Sequence, residues 1–70
     1  MKTGTTVKIT IVAGLCRSGD ETRFVGRAEP GTVGTYKGRH PSKRLKGWHL
    51  IQVGDLVAPL AEGQFEADPR

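Results

Sequence analysis

Apolar and polar positions alternate along this chain with a period of two, and no window of eleven or more residues carries a helical stripe. From Thr6 to Val12, Val7, Ile9 and Ile11 share one face while Thr6, Lys8 and Thr10 share the other. β-branched residues dominate that stretch, as in a half-buried strand. Thr32 to Lys37 predicts a second strand, with Val33 and Thr35 on one face and Tyr36 on the other. Gly34 in its middle points to a bulge or a close backbone approach. Trp48 to Val53 predicts a third strand. Trp48, Leu50 and Gln52 face one way, and His49, Ile51 and Val53 the other. Gly54-Asp55 reads as a two-residue hairpin turn, after which Leu56 to Ala58 returns antiparallel. Pro59 stops that ladder or sits at its edge. Leu60 to Gly63 predicts one 3₁₀ turn, followed by a last short strand over Gln64 to Ala67 with Phe65 inward.

The remaining segments read as connections. Ala13 to Glu21 is expected to be a loop with Arg-Ser-Gly-Asp at its tip, and Thr22 to Gly26 a short extended piece with Phe24 inward. Glu29-Pro30-Gly31 is a turn signal, since proline sets φ at one corner and glycine accepts positive φ at the next. Ten glycines and four prolines in 70 residues suit short strands joined by tight turns. Hydrophobic residues make up 36% of the chain, with one Trp, one Tyr and two Phe. That is too rich for a disordered tail and too poor for a large pocket. The length allows one domain, residues 1–70, with an ordered part over about 5–67. Val7, Ile9, Ile11, Val33, Leu50 or Ile51, Val57 and Phe65 are the expected core.

Five short strands, a long first loop, a basic second loop, a tight hairpin and a one-turn helix before the last strand resemble an SH3-like small β-barrel. The local pattern is similar to that of KOW-type domains: Gly31-Thr32-Val33-Gly34, a variable loop, the apolar strand Trp48 to Val53, a hairpin, and a closing Phe65-Glu66. The resemblance implies an all-β fold, a closed five-stranded barrel in which each strand buries one face.

Charge adds a second layer. Eleven Lys and Arg against seven Asp and Glu leave a net charge of +4. Lys37, Arg39, His40, Lys43, Arg44 and Lys46 gather in one acid-free stretch that runs on to Trp48 and His49. The segment from Gly54 onward is mostly acidic. A basic loop of this kind meets phosphates or an acidic partner, or it serves as a solvated surface that keeps a small protein soluble. Tyr36 and Trp48 flank the loop and could stack on bases if both face outward. Arg23 and Arg27 would assist if the first loop folds over the same side.

Catalytic patterns are sparse. There is no Ser-His-Asp order, no nucleophile elbow and no phosphate loop: Gly26 to Gly31 has the gap, but Thr32 stands where lysine would be needed. Cys16, the only cysteine, reads as an incidental thiol, and His40 and His49 lack the ligand spacing of a metal site. No cofactor or metal is expected. A membrane span and a signal peptide are not visible, which makes the cytoplasm the expected location. The chain therefore reads as a non-catalytic binding module. DNA or RNA held through Lys37, Arg39, His40, Lys43, Arg44, Lys46 and Trp48 is the first expected partner. An acidic protein docked by an adaptor or regulatory subunit is the alternative. A third possibility is an oligomeric pore-type enzyme similar to type II dihydrofolate reductase, which is also a short SH3-like barrel.

Overall fold

The structure, a computed structural model, describes residues 1–40 and 47–68, apart from the side chains of residues 21 and 22. It is all-β. Seven antiparallel strands run in chain order: β1 Thr6–Ile9, β2 Ala13–Arg17, β3 Asp20–Ala28, β4 Val33–Arg39, β5 Trp48–Val53, β6 Leu56–Ala61 and β7 Phe65–Ala67. They form one sheet in the order β3-β2-β6-β5-β4-β1-β7. No ladder joins β3 to β7 among the described residues, so the sheet is open. The expected closed five-stranded barrel is corrected on both strand number and closure.

The two extra strands are a hairpin where the sequence reads as a loop over Ala13 to Glu21 and a short extended piece over Thr22 to Gly26. β2 and β3 pair over Ala13↔Ala28, Gly14↔Arg27 and Leu15↔Gly26, and their tight turn lies at Ser18-Gly19. Glycines at 14 and 26 blank out the alternation there, which is why the pattern is silent. β1 stops at Ile9 instead of Val12. The Ile9 N–H donates to the Thr32 carbonyl at 2.8 Å, and its own carbonyl accepts from Gly31 N–H at 2.7 Å. Thr10 N–H then bonds Gln64, and Ile11 and Val12 are left exposed. The expected 3₁₀ turn is instead a β-turn: Gln64 N–H reaches the Ala61 carbonyl, and the Gln64 side-chain oxygen accepts from Ala61 N–H at 2.9 Å. β6 also runs through Pro59 to Ala61. β2 pairs with β6 only at Leu56 and Val57, so at Pro59 the strand has one paired side, where a residue without an N–H is tolerated.

The core is built from Val7, Ile9, Ala13, Leu15, Ala28, Tyr36, Ile51, Ala58 and Leu60, with Val53, Leu56 and Phe65 packed against it. Val7, Ile9, Ile51 and Val57 are buried as expected. Ile11 and Val33 are exposed instead, because Ile11 lies beyond the end of β1 and β4 turns Gly34 and Tyr36 inward. Gly34 fits because of a close approach: a Cβ there would meet the Gln52 carbonyl oxygen at 2.5 Å.

β6 is buried on both sides from Val57 to Leu60. Ala58 and Leu60 enter the core. Val57 and Pro59 face the opposite side, and cross-strand pairs carry that second face outward. Phe24 pairs with Cys16, Cys16 with Val57, and Val57 with Gln52. Phe24 was expected to point inward. A bulge at Val25, between the pairs Gly26↔Leu15 and Phe24↔Cys16, reverses its face. Phe24 is 62% exposed, and its ring lies over Gly14, where a Cβ would come within 2.5 Å of Cδ1.

Candidate nucleic-acid interface

The basic stretch hangs from the β4–β5 hairpin. Its neck closes where His40 N–H donates to the Trp48 carbonyl at 2.9 Å. On the β4 side the register moves from Tyr36↔Ile51 to Gly38↔Leu50, leaving Lys37 as the extra residue of a bulge. Gly38 takes φ +104°, a region that an L side chain rarely adopts. The bulge leaves Lys37 and Arg39 exposed on either side of a half-buried glycine. His40 is half-buried, and so is Trp48 on the opposing strand. Lys43, Arg44 and Lys46 lie outside the described residues.

Two of the acidic side chains have cations of their own, and a third lies beside a histidine. Glu29 pairs with Arg27 at 3.2 Å, Glu66 with Lys8 at 3.5 Å, and Glu62 lies 3.8 Å from His49 Nε2. Lys37, Arg39, Arg17 and Arg23 make no ion pair among the described residues.

Tyr36 is not a base-stacking residue at this site. It is buried at 6% exposure, and its hydroxyl forms a 2.7 Å hydrogen bond with His49 Nδ1. His49 is packed too, with ring centroids 5.5 Å from Tyr36 and 5.4 Å from Phe65. Alternation along β5 does place His49 beside Ile51 and Val53, on the core face, yet histidine chemistry alone reads as basic surface. The cluster has a positional consequence. It anchors the start of β5 directly beside Trp48, so the neck of the basic hairpin stands on a packed base.

Arg23 and Arg27 do not join the loop neck. Arg27 is paired with Glu29. Arg23, Arg17, Asp20 and Val25 line a surface concavity of about 300 Å³ on the β2–β3 hairpin. Arg17 lies opposite Leu56, whereas Arg39 lies opposite His49, which in turn faces Leu60. Four residues of β6 separate those levels, roughly 13 Å. The cations thus form two groups at different levels of the sheet, and sequence reasoning missed the second because it put Arg17 in a loop over Ala13 to Glu21 and Arg23 in a separate extended piece, not on two strands of one hairpin. Cys16 is fully buried, with its thiol donating to the Val57 carbonyl at 3.4 Å. Among the described residues no three His, Cys, Asp or Glu side chains gather as metal ligands, and no helix is long and apolar enough to cross a membrane. Comparison with protein-family models, with characterised proteins and with solved structures returns no match.

Proposed function

We propose that this protein is a non-catalytic nucleic-acid-binding module that holds phosphates through the segment Lys37 to Lys46, with Trp48 at its base. The observation that carries the reading is the contrast in charge pairing. Lys37 and Arg39 are exposed at the hairpin neck without an acidic partner among the described residues, while Glu29 and Glu66 are each set against a cation elsewhere. Unpaired cations on a protein of net charge +4 bind polyphosphate by displacing condensed counterions, and such binding is strong at low salt and largely indifferent to sequence.

Fluorescence anisotropy with labelled DNA and RNA at several salt concentrations tests it. Affinity should fall steeply with salt, and Lys37→Ala with Arg39→Ala should lower the log–log slope by roughly 1.4 to 1.8, two phosphate contacts' worth. Replacing Lys43, Arg44 and Lys46 together by Ala should abolish binding while the fold persists. Unchanged binding in both variants would refute the reading.

A further inference from the structure

We infer that the open edge of β3 receives the β3 of a second copy of this chain, antiparallel and about a two-fold axis, so that two sheets join into one. β3 and β7 end the sheet, and among the described residues each is paired on one side only. β7 has three residues and offers a short edge, whereas β3 has nine. Roughly every second residue of such a strand turns its N–H and carbonyl to the open side. Natural edges are blunted by shortness, lysine, proline or irregular register. β3 is long and contains neither lysine nor proline; its one such device is the shifted register beside Cys16. Those shifts leave Arg23 and Val25 out of the β2 register, so the middle of the strand is the part least held by its own sheet. Apolar surface lies at that middle, with Phe24 62% and Val25 48% exposed.

The charge order along β3 names the occupant. Asp20 and Glu21 come first, and Arg23 and Arg27 follow. A uniformly acidic or basic strand would face like charge over part of this edge. An antiparallel copy sets the acidic start of each strand against the basic end of the other. Cross-strand neighbours share a face, so a two-fold axis places one residue opposite its own copy. With Arg23 at the axis two arginines oppose each other, and with Val25 there Arg23 opposes Arg27 twice. Thr22 or Gly26 at the axis leaves almost half of each strand unpaired. Phe24 is the middle residue, and with it at the axis the whole strand overlaps. Backbone register then sets Glu21 opposite Arg27 on both sides and Phe24 opposite Phe24, an opposite-charge pair and an aromatic pair that both favour the ladder. The ion pair of Arg27 with Glu29 does not compete strongly, because both side chains are mostly exposed.

Sedimentation and light scattering of the full chain, from about 1 µM to about 1 mM, should show a monomer passing to a dimer and no further. Amide hydrogen exchange of residues 20–28 should slow as the dimer forms, while that of β7 stays unchanged. Glu21→Lys should weaken the dimer about tenfold, and Arg27→Glu likewise, because symmetry turns two attractive pairs into two repulsive ones. An equal mixture of these two variants restores both pairs and should associate within about threefold of the parent. Recovery in the mixture reports charge matching and not the fold. A monomer over the whole range overturns the inference. So does a dimer that both single variants leave unchanged, or one whose β3 amides exchange at the monomer's rate. Growth beyond the dimer would assign β3 to head-to-tail pairing with β7 and overturn it as well. The nucleic-acid reading is independent of each of these results.

Discussion

Gly34→Ala probes the contact that brings β4 against β5 behind the proposed site. The backbone there is extended and acceptable to alanine, so the cost is steric. The new methyl would stand 2.5 Å from the Gln52 carbonyl oxygen, 2.8 Å from Ile51 Cγ2 and 3.2 Å from Val53 Cγ2. Ordinary carbon–carbon contacts begin near 3.5 Å, so the overlap with Ile51 alone is roughly 0.7 Å. The carbonyl cannot swing aside, because Gln52 is paired on both flanks, with Thr35 and with Val57. Overpacking of this kind costs about 1–3 kcal/mol. The stiffer unfolded chain returns about 0.4–1 kcal/mol, leaving a net loss of about 1–2 kcal/mol. A 70-residue domain holds a total of about 3.5–10 kcal/mol, so the loss is substantial. With a urea slope of about 1 kcal/mol/M, the unfolding midpoint should fall by about 1–2 M, read by Trp48 fluorescence or circular dichroism. Gly14→Ala is the comparison. Its Cβ would meet Phe24 Cδ1 at 2.5 Å, but Phe24 is an exposed side chain that can rotate away. It should cost clearly less than Gly34→Ala. A Gly34→Ala protein that unfolds at the parent's urea concentration, or above it, would refute the close approach of β4 and β5.

Other perturbations test the core and its second face. Tyr36→Phe removes the hydroxyl bonded to His49 Nδ1 and should cost about 1 kcal/mol in chemical denaturation; an unchanged midpoint would mean that the bond contributes nothing. Ile51→Ala empties a fully buried position and should cost about 2–5 kcal/mol, which would leave the protein partly unfolded at 37 °C by circular dichroism. Glu62→Gln removes an exposed partner 3.8 Å from His49 and should shift stability by less than about 0.5 kcal/mol. Cys16 should resist a water-soluble thiol reagent in native buffer and react with one equivalent in urea; fast native labelling would contradict its burial between β3 and β6.

The period-two alternation alone determined that the chain is all-β. It also assigned the two faces of Trp48 to Val53 and placed the turn at Gly54-Asp55, since both depend on neighbours in sequence; for Gly34 it left a bulge or a close approach open, and the contact with Gln52 and Ile51 of β5 decided between them. The cluster of cations from Lys37 to Lys46 is likewise a property of the sequence. Tertiary structure decided what depends on strands distant in the chain. The β2–β3 hairpin is held by its ladders to β6 and by the core positions of Ala13, Leu15 and Ala28, while its glycines leave no alternation to read. The inward turn of Tyr36 exists because His49 and Phe65 arrive from other strands to receive it. Phe24 faces outward because one extra residue, Val25, shifts the register, and a one-residue slip in a strand moves a side chain to the opposite face. The pairing of β2 with β6 therefore brings Phe24, Cys16 and Val57, from three separate stretches of sequence, into one cross-strand row.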